Sequence, residues 1–284
     1  MAKAFRRRRL KADEILKRAE KLESRIADPS NADDPNWLRR RINRMRDFAS
    51  QKEASRQLKA EERRKNKEAK HRYTGVSSHV AGDENWEFEM WNERYSQPGF
   101  AYGTEPNEFL AATAVRIPVG PVLSLGEGEG RNAAYLASLG HQVVAVDQSE
   151  VGLAKARRLA AERDLTVETV RADLAAYSIE AGAWAGIVSI FCHLPRRIRI
   201  PLYAAVVQGL RPGGVLVLEA YTPQQVGRGT GGPQDPDMLV SLGDLTNELA
   251  GLEFLHACEL ERDVREGAYH TGTASVVQVI GMRQ

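Results

Sequence analysis

From residue 121 onward, the chain alternates short apolar runs with amphipathic stretches of helical period. The apolar runs predict strands at residues 122–125, 142–146, 166–170, 186–191, 215–218, 253–260 and 274–280. Helices are predicted between several of them, at residues 132–139, 151–163 and 197–210. Strands separated by such helices form βαβ units, whose parallel sheet is buried on both faces. The last two strands are joined by a short turn, so we expect an antiparallel hairpin at the sheet edge. The pattern predicts a doubly wound α/β fold with a mostly parallel seven-stranded sheet.

The first 80 residues follow a different pattern, and the first glycine of the chain is Gly75. Two stripes of apolar residues recur at helical spacing, separated by a turn-forming sequence at Asp28–Asn31. The stripes are Ile15, Leu16, Ala19, Leu22 and Ile26, then Leu38, Ile42, Met45 and Phe48. Asp34 and Pro35 are typical of an N-cap and first helical residue at the start of the second stripe. The sequence therefore predicts a helical extension over residues 1–80 and a separate domain over residues 86–284.

Charge separates the same two regions, although the whole chain has a formal net charge of only +2. Residues 1–72 contain 24 Lys and Arg against 12 Asp and Glu, so acidic residues are in excess in the rest of the chain. A basic extension of this kind binds nucleic-acid phosphates, or forms a solvated arm that docks on the acidic domain or on another copy. The sequence leaves both interpretations open and does not fix the oligomeric state.

Composition argues against several classes of protein. No apolar run reaches 18 residues, so no membrane-spanning helix is expected. The N-terminus has a run of arginines and no apolar stretch of a secretory signal, and two cysteines do not make a disulfide framework. We therefore expect a cytoplasmic protein. The six histidines show no metal-ligand spacing, so no metal site is expected.

A glycine-rich loop follows the first predicted strand and precedes a predicted helix. Its glycines are Gly126, Gly128 and Gly130, and residues of this type permit a tight turn and close approach of the backbone to a ligand. Asp147 ends the next predicted strand, where a carboxylate can accept hydrogen bonds from both ribose hydroxyls. Loop, acid and strand context together predict a nucleotide-like ligand.

Two ligands compete for this loop. Gly128, Gly130 and Ala133 formally meet the NAD fingerprint, whereas the evenly spaced glycines also suit S-adenosylmethionine. Asp173 follows the third predicted strand, where a carboxylate can bind the adenine amino group. The tight turn Leu210–Gly214 and the antiparallel closing strands also favour S-adenosylmethionine. The sequence also offers no Tyr-x-x-x-Lys pair as a dehydrogenase proton donor.

At this point the chain resembles a known family, the class I S-adenosylmethionine-dependent methyltransferases, close to the tellurite-resistance and thiopurine methyltransferase group. The resemblance covers about residues 86–284. Its motifs are Trp91–Tyr95, Tyr102–Asn107, Leu123–Asn132, Val144–Asp147, Ser189–Pro195 and Leu210–Gly214. It implies a Rossmann-like fold, S-adenosylmethionine as cofactor and methyl transfer as the activity. The basic extension has no counterpart in it.

The resemblance also implies which residues bind the cofactor. The residues it implies are Trp91, Tyr95, Tyr102, Gly103, Gly126, Glu127, Gly128, Gly130, Asn132, Asp147, Gln148, Asp173, Leu174 and Ile190. Within this set, the loop glycines would line the methionine end, and Asp147 would hold the ribose with Gln148 beside it. Asp173 and Leu174 would meet the adenine, and Ile190 would face the methyl group. The aromatic residues and Gly103 would cover the cofactor from the N-terminal side.

The sequence departs from the family pattern at two positions. Ser124 replaces the acid that normally helps to hold the methionine amine, so either Glu127 or Glu129 substitutes for it or the affinity is lower. Trp184 and Ala185 stand where the fourth strand often begins with an acid.

The expected acceptor is a small soft nucleophile, a thiol or a metalloid oxyanion, because direct in-line transfer of a methyl group needs little help from side chains. His193 and Tyr221 follow the fourth and fifth strands and are the candidates for acceptor contact. His193 could equally be a helix-start residue that satisfies backbone groups. The loop at residues 223–240 is rich in Gly and Pro and is expected to close over the acceptor, with Arg228 available for an anion.

Three alternatives stay open on sequence grounds. The first is an RNA- or protein-directed methyltransferase recruited through the basic extension, and the second is an NAD-dependent oxidoreductase. The third is a non-catalytic nucleic-acid-binding protein. Deleting residues 1–80 would separate the first from a small-molecule methyltransferase, since only the RNA-directed activity would be lost.

Overall fold

A computed structural model describes residues 86–284, together with Lys17, Glu20, Lys21 and Arg46. These four N-terminal residues are helical and exposed. The rest of the predicted helical extension lies outside the described residues. Residues 86–284 fall within the second of the two units into which the chain divides, Val80–Gln284.

The described domain alternates helices and strands. Its helices are α1 (Trp86–Tyr95), α2 (Glu108–Thr113), α3 (Arg131–Ser138), α4 (Glu150–Glu162), α5 (Arg196–Gly209) and α6 (Leu242–Glu248). Short 3₁₀ turns lie at Ala114–Arg116, Pro223–Gln225 and Pro236–Met238. Its strands are β1 (Pro121–Leu125), β2 (Gln142–Asp147), β3 (Glu168–Arg171), β4 (Trp184–Ile190), β5 (Leu210–Tyr221), β6 (Leu252–Glu266) and β7 (His270–Arg283).

The strands form a seven-stranded sheet in the order β3-β2-β1-β4-β5-β7-β6. The first five of that order are parallel, and β7 runs antiparallel between β5 and β6. This confirms the predicted doubly wound, mostly parallel sheet with an antiparallel edge. The chain winds outward from β1 to β3 and then returns to β4 on the other side of β1. Such a reversal opens a crevice at the carboxyl ends of β1 and β4, where doubly wound proteins bind ligands.

Both faces of the sheet are buried, as the continuous apolar strands require. In β5, Leu216 and Leu218 point into the core on the side of α5 and α6, whereas Val215 and Val217 point into the core on the side of α2 and α3. Alternate residues of a strand face opposite sides, so a strand that is apolar at every position must lie between two layers. The apolar run that predicted this strand therefore also required helices on both faces.

The predicted strand ends differ from the structure mainly at the antiparallel edge. Three strands are longer than predicted, because β5 includes the expected turn at Leu210–Gly214 and β6 and β7 extend to residues 266 and 270. In β6, inward and exposed residues alternate and the exposed ones are largely charged, which hides the strand from a search for apolar runs. The extra length of β6 and β7 forms a hairpin that projects past the carboxyl ends of the parallel strands.

A buried ion pair joins α5 to α6. Arg199 and Glu248 are almost fully buried, with Arg199 Nε 2.9 Å from Glu248 Oε2. The same guanidinium donates to the carbonyls of Asp237 and Leu239, at 3.2 and 3.3 Å. It thereby fixes the end of the segment that leads from β5 across the carboxyl edge.

Candidate active site

The glycine loop fills the turn between β1 and α3, at the point where the winding of the sheet reverses. Gly126, Gly128 and Gly130 all have positive φ, at 60°, 65° and 93°. At Gly130 a Cβ would lie 2.5 Å from Cα and Cβ of Ala156, so only glycine lets α3 approach α4 this closely. Side chains of Cys192, Tyr95 and Ala156 occupy the space where a Cβ would lie at Gly126, Gly128 and Gly130, so the loop is closely packed at all three glycines.

Asp147 lies beside this loop at the end of β2. Its Oδ2 accepts a hydrogen bond from the Gly128 amide at 2.8 Å, and its Oδ1 accepts one from the Ser149 amide at 2.8 Å. Burial raises the pKa of Asp147 to about 6, although these two amides oppose the shift. Each carboxylate oxygen keeps a second acceptor position. The group can therefore accept ribose hydroxyls while it holds the loop.

Asp173 lies next along the same edge. The Ala172 amide donates to the Asp147 carbonyl at 3.1 Å, which places the end of β3 against the end of β2. The Asp173 carboxylate is exposed and accepts from the Ala175 amide at 2.9 Å. Gln148 and Leu174 follow these two acids in the chain and are half-buried. The residues predicted for the ribose and the adenine are thus neighbours.

The two loop glutamates are bound to protein groups. Glu127 accepts from the Ser124 hydroxyl and from the amides of Asn132 and Ala133, at 3.1 and 3.0 Å. Its carboxylate therefore lies beside Ser124 and caps the first turn of α3, a favourable place for negative charge. Glu129 accepts from the Ala101 amide at 2.6 Å and pairs with Lys155 at 2.8 Å. Burial raises the pKa of Glu127, against its hydrogen bond from Ser124.

Aromatic residues lie across the loop from the N-terminal side. The Tyr95 hydroxyl is 2.6 Å from the position of a Cβ at Gly128, and Trp91 stacks on the Tyr95 ring at 5.5 Å. Arg94 donates to the Tyr102 hydroxyl at 2.7 Å. Gly103 lies against the turn of the β6–β7 hairpin. A Cβ at Gly103 would be 3.6 Å from the backbone nitrogen of Gly267 in that turn. The predicted covering residues are therefore brought together over the crevice.

His193 and Tyr221 meet on the other side of the loop. Their rings stack with centroids 5.2 Å apart, and Phe191 stacks on Tyr221 at 4.5 Å. Both ring nitrogens of His193 and the Tyr221 hydroxyl are buried without a hydrogen-bond partner among the described residues. Burial lowers the pKa of His193 to about 3, so the ring is neutral at physiological pH. Ile190, predicted near the methyl group, ends β4 and is buried just before this cluster.

The segment at residues 223–240 packs on this cluster. At Gly232 a Cβ would lie 2.5 Å from Cδ2 of Tyr221, and the Gly231 carbonyl accepts from Gln225 at 3.0 Å. The segment contains two 3₁₀ turns, so it is not the structureless loop that its composition indicated. Arg228 pairs with Glu261 at 2.5 Å and so is not an unpaired cation.

Sequence reasoning missed a polar network at the turn of the hairpin. His270 lies in the aromatic cluster, 4.8 Å from Phe191 and 5.4 Å from Tyr221 between ring centroids. Glu266 binds His270, and the Asn107 amide donates to Glu266 at 2.8 Å. The position of His270 at the start of a β-branched run was the only signal in the sequence, and it gives no indication of the partner residues.

Among residues 86–284 and the few described residues before them, no cluster of His, Cys, Asp and Glu is arranged to hold a metal ion. Within the same part of the chain, no helix has both the length and the apolar character needed to cross a membrane.

The comparison with protein families decides the class of the domain. Residues 122–214, from β1 into β5, match the model of a family described as "Methyltransferase domain". This part of the chain is similar to methyltransferase domains. The matched range includes the glycine loop, Asp147, Asp173 and His193, whereas Tyr221 and the hairpin lie beyond it. A search of curated protein sequences found no significant match.

Solved structures show the same fold. TehB from Haemophilus influenzae is 19% identical with a TM-score of 0.52, over 70% of this chain and 67% of that chain. Magnesium protoporphyrin IX methyltransferase from Synechocystis, solved with S-adenosylmethionine, is 15% identical with a TM-score of 0.52, over 73% and 100%. A structure from work on conversion of a disulfide bond into a thioacetal during echinomycin biosynthesis is 18% identical with a TM-score of 0.55, over 70% and 92%.

Domain and fold are those of class I S-adenosylmethionine-dependent methyltransferases, and the predicted resemblance to the tellurite-resistance group is confirmed. The match to a methyltransferase family and the likeness to the solved methyltransferases support an enzyme of this kind with S-adenosylmethionine as its cofactor. The Asp147 carboxylate fits this cofactor, because it retains acceptor capacity beside the loop while it accepts from the Gly128 amide. The NAD interpretation of the same loop is set aside.

Proposed function

We propose that this methyltransferase transfers a methyl group from S-adenosylmethionine to a small soft nucleophile by direct in-line displacement. The observation that supports this is the set of unpartnered polar atoms on His193 and Tyr221, buried at the ends of β4 and β5 beside the glycine loop. Buried polar groups normally have partners, so a cluster of orphans at the ligand edge of the sheet is consistent with a site for an acceptor.

The cofactor supplies a methyl group made electrophilic by its sulfonium. In our proposal the loop backbone binds the methionine end, Asp147 binds the ribose and Asp173 the adenine. Trp91, Tyr95 and Tyr102 exclude water from one side of the crevice, and the segment at residues 223–240 excludes it from the other. Positioning and water exclusion are the main contributions that such a displacement requires from a protein.

Electrostatics favours a thiol over an oxyanion as the acceptor. Two arginines beside the aromatic cluster are already paired with carboxylates, Arg131 with Glu266 and Arg262 with Glu219, at 2.6 and 2.7 Å. His193 is neutral, and its apolar neighbours offer an anion little compensation for lost water. A neutral thiol loses much less hydration on entering such a site.

The basic extension supports a second candidate, an RNA- or protein-directed methyltransferase. Residues 1–72 have twice as many basic as acidic residues, a charge that would recruit a phosphate-rich substrate. The two candidates share the cofactor and differ in the acceptor.

The test is calorimetric titration of the full chain with S-adenosylmethionine and with NADH, followed by acceptor assays. We expect micromolar affinity for the first and no binding of the second. With thiophenol, 2-mercaptoethanol, tellurite and a short RNA offered separately, we expect S-adenosylhomocysteine to form with the thiols. If S-adenosylhomocysteine formed only with the RNA, the RNA-directed candidate would replace the small-molecule proposal. If the chain bound NADH and not S-adenosylmethionine, both candidates would be contradicted.

Closure of the acceptor site can be tested at Gly232. The change Gly232→Ala should lower the rate of thiol methylation about 10-fold with unchanged S-adenosylmethionine affinity, because its Cβ would displace the segment from the Tyr221 ring. Gly229→Ala is the matched control, since Gly229 also has positive φ, 68°, and has nothing within 4 Å of a Cβ. Equal rates for the two variants would show that contact with Tyr221 does not matter.

A further inference from the structure

We propose that His270 is the general base of methyl transfer, with Glu266 as its positioning residue, so that the acceptor is a neutral group that gives up a proton. This inference rests on the proposed function and deepens it. The two residues lie on either side of the turn of the β6–β7 hairpin, outside the range matched by the methyltransferase family.

The hairpin turn is held in place over the crevice. The Ala268 amide donates to the Ala101 carbonyl at 2.9 Å, which ties the turn to the covering segment. A Cβ at Gly267 would lie 2.2 Å from the same carbonyl, so the two backbones are in close contact. His270 follows this turn, is 6% exposed, and points among Tyr102, Phe191 and Tyr221.

Glu266 fixes the orientation of the imidazole. Its Oε2 is 3.4 Å from His270 Nδ1 and 2.6 Å from Arg131, and its Oε1 is 2.8 Å from the Asn107 amide. Burial acts to raise the pKa of Glu266, but His270 and Arg131 together hold that pKa at about 2. An ionised carboxylate only accepts hydrogen bonds, so Nδ1 must bear the proton and Nε2 the lone pair.

The lone pair faces the acceptor side. Cδ2, the ring carbon bonded to Nε2, lies 2.8 Å from the position of a Cβ at Gly231, beneath the segment that closes the site. His193 has no such carboxylate partner among the described residues, and burial lowers its pKa to about 3.

The groups around His270 keep it neutral and available. Burial lowers its pKa, Glu266 on its own hairpin raises it, and Arg131 from α3 and Arg94 from α1 lower it. Tyr102, Tyr221 and His193 complete the titratable groups that face the ring. At physiological pH the imidazole is therefore able to accept a proton.

The same desolvation explains why a base is needed. Burial raises the pKa of Tyr221 and raises that of the Cys192 thiol, beneath the loop, to about 12. A thiol that enters this environment is likewise favoured in its neutral form. During transfer the acceptor S–H proton passes to Nε2, the acceptor sulfur bonds to the methyl carbon and the methyl–sulfonium bond breaks. The cofactor leaves as a neutral thioether, and the imidazolium releases its proton to water.

The first test needs no turnover. In ¹⁵N-histidine NMR spectra of the full chain, assigned by comparison with His270→Gln, we expect a neutral His270 with the proton on Nδ1 from pH 6 to 8. Glu266→Gln should increase the fraction protonated on Nε2. A charged ring, or a proton on Nε2 in the wild-type protein, would overturn the proposal.

The second test compares two thiols of different acidity. In His270→Gln we expect the methylation rate to fall about 100-fold with 2-mercaptoethanol and by less than about 10-fold with the more acidic thiophenol, because a general base matters most for the weaker acid. His256→Gln, on the same hairpin, is the control. Equal losses for both thiols would indicate a structural role and overturn the proposal. If the wild-type protein transferred no methyl group to either thiol, the proposed function would be overturned, and so would the role of His270 as a base. The NMR spectra would still show whether Glu266 orients the His270 ring.

Discussion

Replacing Asp147 by alanine should weaken S-adenosylmethionine binding about 100-fold, as measured by calorimetry at pH 7.5. In our proposal the carboxylate accepts hydrogen bonds from the cofactor ribose, and each hydrogen bond to a charged group contributes about 1.5–3 kcal/mol. Loss of two such bonds corresponds to a change in affinity of about two orders of magnitude or more. The truncation also releases the Gly128 and Ser149 amides, so the loop that binds the methionine end loses its support.

Two further variants separate these effects. Asp147→Asn keeps one acceptor oxygen, and its affinity for S-adenosylmethionine should be about 10-fold lower than that of the wild type. The reason is that the remaining hydrogen bond is no longer charge-assisted. Glu150→Gln removes a nearby carboxylate whose partner is Arg157 at the surface, and it should leave the affinity unchanged. Affinity that is the same in wild type and Asp147→Ala would show that the cofactor does not bind at the end of β2.

The pH dependence of binding follows from the same residue. Burial raises the pKa of Asp147 to about 6, so the folded protein protonates this acid as the pH falls through that value. Only the ionised form accepts from both ribose hydroxyls, and affinity should therefore decrease below pH 6 and be constant above pH 7. Asp147→Asn should bind equally at pH 5 and pH 7.5, and a wild-type affinity that is independent of pH would contradict the assignment.

The sequence predicted the part of the site that is formed by local chain segments. Gly126–Gly130 and Asp147 lie at the ends of consecutive strands, and the carboxyl ends of parallel strands necessarily meet at one edge. The parallel strands and the helices on both faces of the sheet were predicted because a strand that is apolar at every position must be buried on both faces. His193 and Tyr221 were predicted by the same argument, and in the structure His193 follows β4 and Tyr221 ends β5.

Contacts between distant segments were not predictable in this way. Glu266 meets Arg131 across more than a hundred residues, and nothing in either local sequence identifies the other. The hairpin that presents His270 also contacts a distant strand through a charged residue, because Arg262 of β6 pairs with Glu219 of β5. The sequence also left open whether Glu127 or Glu129 substitutes for the acid that Ser124 replaces, and the hydrogen bond from Ser124 to Glu127 is visible only in the folded loop.

Gly130→Ala should destabilise the domain by about 2–5 kcal/mol, measured by chemical denaturation, and should also abolish measurable cofactor binding. Its φ of 93° costs a side-chain-bearing residue about 1–2 kcal/mol. Its Cβ would also lie 2.5 Å from Cα and Cβ of Ala156, and relieving that overlap by moving α3 away from α4 costs about 1–3 kcal/mol more. Because α3 begins at the loop, the movement displaces the amides that border the cofactor.

Comparison with Gly140→Ala isolates the second of these effects, the overlap with α4. Gly140 lies just beyond the other end of α3, with a similar φ of 89° and nothing within 4 Å of a Cβ. It should therefore show only the backbone cost of about 1–2 kcal/mol and retain cofactor affinity, because the packing of α3 against α4 is unchanged. If both alanine variants lost equal stability and both bound S-adenosylmethionine, the close approach of the two helices at Gly130 would not be what positions the loop. The glycine would then serve the turn alone, and the cofactor site would tolerate a shift of α3.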